Sequence, residues 1–183
     1  MRRPVSSVVK EMEAPFLCAF SCYTWNYEYN KALARSIKNV YPSCKIIFGG
    51  HHVAQGYNEE AAEYVDIFIY DEGEIPFKET LLAFEDIGSL KDVSNIKYKN
   101  AEGQWHITPK KMYTGTDFPS PYLSGTFDHI MKNTELSFTP TLETNRGCPF
   151  SCGYCDWGLQ IQASSISVRT GESRNRLVCR TSD

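Results

Sequence analysis

The sequence predicts an α/β fold in which short, buried parallel strands alternate with helices. Three apolar runs of strand length are separated by segments whose apolar residues recur at helical spacing. Two of these runs end close to glycines, as expected where a strand gives way to a turn. The chain has 183 residues, which allows about one domain and the start of a second.

The elements of this predicted sheet follow one another within the first 90 residues. Predicted strands span residues 16–23, 45–48 and 65–70, and predicted helices span 26–41, 58–64 and 76–86. Pro42 ends the first helix, and Asn58 is a typical N-cap for the second. The order β-α-β-α-β-α predicts a partial doubly wound sheet that is covered on both faces.

Ligands of such sheets bind beyond the carboxyl ends of the strands. Those ends are predicted at residues 23–25, 48–51 and 70–73. The candidate cofactor-binding residues at these ends are Tyr23, Thr24, Gly49, Gly50 and Gly73. Glycine there allows a ligand to approach the backbone, although ordinary turn formation accounts for it equally well. We interpret His51 and His52 as polar loop residues.

The pattern changes after residue 90. Residues 94–99 and 104–108 predict a hairpin, and the proline-containing segment 109–125 predicts an extended linker. A short strand at 142–144 precedes a loop rich in glycine and cysteine, and the tail is rich in serine and arginine without a steady period. The predicted divisions are 1–90 for the α/β domain, 91–137 for hairpin and linker, 138–158 for a second domain's start, and 159–183 for a disordered tail.

Composition excludes several classes of protein. The net charge of −3 argues against non-specific nucleic-acid binding, and no apolar run is long enough to span a membrane. The count of seven cysteines is odd, and the start of the chain does not read as a signal peptide, so a disulfide scaffold is disfavoured. These features predict a protein of the reducing cytoplasm, without a membrane partner.

Three cysteines, Cys148, Cys152 and Cys155, lie within eight residues of one another. One compact loop can direct all three sulfurs toward a metal centre. Zinc usually takes four ligands, and only His129 or Cys179 could supply the fourth. An iron–sulfur cluster with three cysteine ligands leaves one iron open for a substrate or cofactor. A cluster of buried free cysteines is a third alternative.

The spacing Cys148-x-x-x-Cys152-x-Tyr154-Cys155 resembles the C-x3-C-x-aromatic-C motif of radical S-adenosylmethionine (SAM) proteins. The wider string 143–158, with upstream strings at 23–26, 46–50, 73–74 and 119–122, is similar to the subgroup with an N-terminal cobalamin-binding domain. The resemblance covers residues 15–158. It implies a Rossmann-like cobalamin-binding domain followed by the start of a β/α barrel. The D-x-H-x-x-G loop, which supplies an axial histidine in some cobalamin proteins, does not occur in the chain.

The resemblance also implies roles for individual residues. Cys148, Cys152 and Cys155 would hold a [4Fe-4S] cluster that binds and reductively cleaves SAM, and Tyr154 would lie near its adenine. An electron donor such as flavodoxin or ferredoxin is implied, and no residue is assigned as catalytic. We expect a chain truncated at both ends and too short for full enzymatic activity, since a barrel needs about 200 residues. The alternatives are a non-catalytic cofactor-binding module and a zinc-stabilised structural domain.

Overall fold

The computed structural model describes residues 2–53, 61, 63–113, 118–132, 139, 145–146, 152–154 and 164–165. The chain divides into two compact units, Met1–Lys111 and Met112–Asp183. In the first unit the helices are α1 (Val5–Lys10), α2 (Tyr27–Val40) and α3 (Glu74–Phe84), and a 3-10 turn spans Leu90–Asp92. Its strands are β1 (Leu17–Ser21), β2 (Lys45–Gly49), β3 (Ile67–Ile69), β4 (Ile96–Lys99) and β5 (Trp105–Ile107).

These five strands form one sheet in the order β1-β2-β3-β4-β5. The first three strands are parallel, with Ala19 opposite Ile47 and Ile47 opposite Ile67. The last two are antiparallel additions, with Phe68 opposite Lys97. The expected parallel sheet is therefore confirmed only for β1–β3, and the described sheet is mixed.

The hairpin makes the sheet mixed. The backbone N–H of Gln104 donates to the Asn100 side-chain oxygen at 2.8 Å, and Gly103 takes a positive φ of 77°. This tight turn reverses the chain, so β5 can only run antiparallel to β4. The sequence predicts the hairpin as part of a separate segment, 91–137, together with a linker. In the structure the hairpin belongs to the sheet, and the first unit continues to Lys111.

Apolar side chains cover both faces of the sheet, as expected for a doubly wound fold. One face packs against α1 and α2, and its core residues include Ile37, Ile46, Phe48 and Phe68. The other face packs against α3 and the 3-10 turn, and its core includes Ile47, Ile67, Ile69 and Ile96. Because side chains alternate along a strand, Ile46 and Ile47 serve opposite cores.

Helix α2 shows why the helical prediction succeeded. Its buried residues are Tyr27, Asn30, Leu33, Ala34 and Ile37, which recur every three to four positions and so lie on one face. Helix α1 was not predicted. It has six residues, of which only Val9 is buried, so it is too short to show a period.

The second unit is described in part. It contains α4 (Asp128–Lys132) and a two-residue antiparallel pairing of β6 (Asn145–Arg146) with β7 (Ser164–Ser165). The predicted strand at 142–144 and most of the predicted helix at 58–64 lie outside the described residues. So does the tail predicted for 159–183, apart from β7. Within the described residues, no helix is both long and apolar enough to cross a bilayer.

Candidate cofactor site

An exposed aromatic pair lies at the carboxyl end of β1. The rings of Tyr23 and Trp25 stack with centroids 4.7 Å apart and planes 7° from parallel. Trp25 is 70% exposed, which is unusual for so large an apolar side chain. Asn26 fixes the turn beneath the pair, since its side chain accepts from the Tyr23 N–H at 2.7 Å and donates to the Ser21 carbonyl at 2.9 Å. The turn thus holds a flat apolar surface toward solvent.

The turn after β2 packs closely against the end of β1. Gly50 has a φ of 96°, and a Cβ built there would lie 2.8 Å from the Cys22 nitrogen and 2.9 Å from its carbonyl oxygen. A hydrogen bond of 2.7 Å from the Cys22 N–H to the Gly49 carbonyl extends the pairing of the two strands. The close contact with the Cys22 backbone therefore explains why residue 50 is glycine, and no ligand is needed to explain it.

Gly49 and Gly73 have more room. A Cβ at Gly49 would lie 3.6 Å from the Ile69 Cβ, and one at Gly73 would lie 3.7 Å from the Ile69 Cγ2. Both distances are ordinary van der Waals contacts, so sterics do not require glycine at either position. Gly73 lies in the loop after β3 and is the N-cap of α3.

Polar side chains connect the ends of β1 and β2. The Thr24 hydroxyl lies 3.4 Å from His52 Nδ1, and the His52 ring lies 4.6 Å from the Tyr27 ring at an angle of 56°. Thr24 stands between Tyr23 and Trp25 in the chain, so a hydrogen-bonding group adjoins the aromatic pair. The three predicted residues Tyr23, Thr24 and Gly49 thus belong to adjoining strand ends.

A segment that follows the hairpin is tied to the end of β3. Asp71, in the left-handed region with a φ of 58°, pairs with Lys110 at 3.1 Å. The buried side chain of Asn95 donates to the Lys111 carbonyl at 2.8 Å and accepts from the Lys111 N–H at 2.6 Å. These contacts hold residues 109–111 at the carboxyl-end edge of the sheet.

Two buried titratable groups at this edge stay protonated near neutral pH. Burial raises the pKa of the Cys22 thiol to about 11, and burial raises the pKa of the Tyr70 phenol to about 12. The Asn30 amide lies 3.6 Å from the Cys22 sulfur and partly opposes the rise. A protonated, buried thiol is neither a good nucleophile nor a good metal ligand.

The cysteine loop lies in the second unit. Cys152 is exposed and Tyr154 is 94% exposed, whereas Cys148 and Cys155 lie outside the described residues. Across the described ranges, no group of three or more His, Cys, Asp and Glu side chains could hold a metal ion. The three-cysteine site therefore remains a prediction from spacing.

Sequence reasoning missed the contacts that organise the edge. Asn95 and Lys110 are not among the predicted site residues, because their partners are far away in sequence. The sequence places Asp71 at the predicted strand end 70–73 but does not predict its ion pair with Lys110. The sequence predicts His52 only as a polar loop residue, because its contact with Thr24 spans 28 positions. The role of Asn26 in the turn could have been predicted from the sequence, because Asn26 directly follows the predicted strand end 23–25.

The first unit is similar to a known cofactor-binding domain. Residues 4–81 match the B12 binding domain, which covers α1, the three parallel strands and most of α3. Along its length the chain is similar to radical SAM proteins that carry a cobalamin-binding domain. It is 34% identical over 162 residues to the cobalamin-dependent radical SAM methyltransferase TokK of Streptomyces tokunonensis, and the alignment covers 85% of this chain and 24% of TokK.

A further curated relative is of the same kind. The chain is 33% identical over 163 residues to 2-(S-pantetheinyl)-carbapenam-3-carboxylate methyltransferase of Streptantibioticus cattleyicolor, covering 82% of this chain and 24% of the relative. It thus spans about a quarter of the length of these curated relatives. Among solved structures, the apo form of the cobalamin-dependent SAM radical enzyme OxsB aligns with a TM-score of 0.61 at 18% identity, over 89% of this chain and 23% of OxsB.

A second OxsB structure, with aqua-cobalamin and SAM bound, aligns with a TM-score of 0.56 at 20% identity over the same shares of the two chains. At this identity the structural likeness establishes the fold alone. The mixed five-stranded sheet therefore has a Rossmann-like fold of the kind found in B12-binding domains.

Proposed function

We propose that residues 2–111 bind cobalamin at the carboxyl-end edge of β1–β3, as part of a radical SAM methyltransferase. The observation that carries the proposal is the exposed Tyr23–Trp25 stack, which brackets Thr24 in the chain, within the segment that matches the B12 binding domain. Thr24 in turn contacts His52. Cobalamin has a flat corrin ring with a rim of carboxamides. A planar apolar surface next to hydrogen-bonding side chains suits both parts of such a ligand.

Trp25 is the principal apolar contact in this proposal. Covering a large, exposed aromatic side chain contributes about 1.5–3 kcal/mol through the hydrophobic effect. Asn26 keeps Trp25 and Tyr23 oriented, because both of its side-chain hydrogen bonds are to the backbone of the turn. The binding surface is thus held in place before the ligand arrives, which lowers the entropic cost of binding.

Cys148, Cys152 and Cys155 are proposed to hold a [4Fe-4S] cluster, with Tyr154 beside the adenine of SAM. When bound, the cluster would supply the electron that cleaves SAM, and cobalamin would carry the methyl group. The thiolates require a reducing compartment, so we place the protein in the cytoplasm with an electron donor of the flavodoxin or ferredoxin type. Methyl transfer is favoured because both curated relatives named above are methyltransferases.

Titration of the 183-residue chain with hydroxocobalamin under anaerobic conditions tests the cobalamin proposal. A shifted absorption spectrum with saturable binding is expected. Trp25→Ala should weaken binding at least about tenfold. Phe16→Ala is the matched control, because Phe16 is 63% exposed but precedes β1 at its opposite end. No binding by the unmodified chain, or equal losses in the two variants, would contradict the proposal.

Reconstitution with iron and sulfide tests the cluster independently. The expected product carries about four irons per chain and a broad visible absorption band. Cys148→Ala, Cys152→Ala and Cys155→Ala should each lose most of the iron, whereas Cys179→Ser should retain it. Stoichiometric zinc without iron would support the zinc-stabilised alternative. Cobalamin binding without iron would support a cofactor-binding module alone.

A further inference from the structure

The main chain at His52 is held by the end of β1. Its N–H donates to the Cys22 carbonyl at 2.9 Å, and the next N–H, at Val53, donates to the Gly50 carbonyl at 2.9 Å. Gly50 in turn packs against the Cys22 backbone. The position of the His52 Cα is therefore set by backbone contacts between two parallel strands.

The imidazole is held from two sides. Nδ1 lies 3.4 Å from the Thr24 hydroxyl, and the ring rests against Tyr27, which is 7% exposed at the start of α2. The two ring nitrogens point in divergent directions, so Nε2 is turned away from Thr24. Within the described part of the chain, Nε2 has no hydrogen-bond partner, and the ring is only half-buried.

The contact with Thr24 bears on the tautomer of the ring. When the hydroxyl donates to Nδ1, the proton of the neutral imidazole resides on Nε2. This arrangement presents one N–H donor at the carboxyl ends of β1 and β2. Oxygen acceptors suit such a donor, and cobalamin offers them in the carboxamides of the corrin rim and in the phosphodiester of its nucleotide tail.

We infer that His52 is a cofactor-binding residue whose Nε2–H donates to an oxygen acceptor of cobalamin, a rim carboxamide or the phosphodiester, and that it does not ligate cobalt. Thr24 acts through His52 as a positioning residue. The inference rests on the proposed function, since it requires cobalamin at the carboxyl-end edge. It assigns a binding role to a histidine that lies outside any D-x-H-x-x-G loop.

The test measures binding of cob(II)alamin and cob(II)inamide by the 183-residue chain; cobinamide lacks the nucleotide tail and its phosphodiester. His52→Phe keeps a ring against Tyr27 but removes both nitrogens, and should weaken cob(II)alamin binding about tenfold. His52→Gln, which places an amide N–H near the Nε2 position, should lose less affinity than His52→Asn. His51→Ala is the neighbouring control and should bind as the unmodified chain does.

The two corrinoids identify the acceptor. A loss in His52→Phe with both ligands assigns a rim carboxamide, and a loss with cob(II)alamin alone assigns the phosphodiester. Unchanged binding by both His52→Phe and His52→Asn overturns the role of His52 while leaving the proposed function intact. Nitrogen hyperfine splitting that disappears in His52→Asn would show cobalt ligation and also overturn it. Failure of the unmodified chain to bind either ligand overturns the proposed function itself.

Discussion

The ammonium of Lys38 lies 2.7 Å from the carboxylate of Asp66, and this pair ties α2 to the sheet at the end opposite the candidate site. The same carboxylate accepts a hydrogen bond of 2.8 Å from the Ile46 N–H at the start of β2. Both side chains are about four-fifths buried. The carboxylate of Asp66, the residue that precedes β3, therefore contacts both α2 and β2.

Removing that carboxylate should destabilise the first unit. Asp66→Ala leaves the Ile46 N–H without its acceptor and Lys38 without its ion-pair partner. We therefore expect a loss of about 2–3 kcal/mol in the free energy of unfolding by urea. Asp66→Asn retains an acceptor for Ile46 and should lose about 1 kcal/mol. Glu11→Gln, which weakens the exposed pair of Arg3 and Glu11, should change stability by at most about 0.5 kcal/mol. Equal effects of Asp66→Ala and Glu11→Gln would contradict this assignment.

Substitution by alanine should destabilise the protein more at Gly50 than at Gly103, although both glycines have positive φ. Gly50→Ala adds backbone strain and a Cβ within 3 Å of Cys22, so we expect a loss of about 2–4 kcal/mol. Gly103→Ala adds only strain, because a Cβ at Gly103 would have no neighbour within 4 Å, and should cost about 1–2 kcal/mol. Chemical unfolding of both variants makes the comparison. Equal losses would mean that close packing of β1 and β2 does not require Gly50.

A buried hydroxyl in α3 offers a stabilising substitution. Thr80 is fully buried, and its Oγ1 has no hydrogen-bond partner among the residues that the structure describes. Thr80→Val removes this unpaired group without changing the shape and should raise the free energy of unfolding by about 1 kcal/mol. Thr108→Val is the matched control. The Thr108 hydroxyl accepts from the Ile96 N–H at 3.0 Å and donates to the Ile96 carbonyl at 3.1 Å, so its loss should destabilise.

Stability should fall as pH rises above about 9. Burial raises the pKa of the Cys22 thiol from 9.0 to about 11, so between these values the folded chain keeps a proton that the unfolded chain releases. Raising the pH therefore favours unfolding. Cys44 and Tyr70, whose pKa values burial raises to about 12, add to the effect at higher pH. Urea midpoints between pH 7.5 and 11 under reducing conditions measure it.

Cys22→Ala removes one of these groups, so the fall in urea midpoint between pH 9 and 11 should be shallower than in the unmodified chain. Cys152→Ala, measured on metal-free protein, is the control, because Cys152 is exposed and its loss should leave the slope unchanged. A slope that is the same in all three proteins would show that the Cys22 thiol does not stay protonated on folding.

Thr24→Val tests the positioning role of Thr24. The substitution keeps the size of the side chain but removes the hydroxyl that faces His52. We expect cob(II)alamin binding to weaken about threefold to fivefold, less than in His52→Phe. Because Thr24 acts through His52, the double variant should bind no more weakly than His52→Phe alone. Additive losses would place Thr24 in direct contact with the cofactor and contradict the positioning role.

Local pattern was enough to predict several features from the sequence. Strands β1–β3 and helices α2 and α3 could be predicted from the spacing of their apolar residues. An element that packs against the core buries apolar side chains at a period set by its type. The hairpin arises from the turn at residues 100–103. The spacing of Cys148, Cys152 and Cys155 pointed to radical SAM chemistry. Ligands that lie on one short loop can be recognised from their spacing alone, without the tertiary structure.

Tertiary structure decided how those elements combine. Joining β4 and β5 to β3 depends on pairings between strands that are distant in sequence, such as Phe68 with Lys97. The same holds for Lys38 with Asp66, and for Thr24 with His52. Such contacts depend on where the chain returns in space, which no local period encodes. The sequence by itself therefore determined β1–β3, α2, α3 and the cysteine motif. Packing decided that Gly50 contacts the Cys22 backbone and that His52 contacts Thr24.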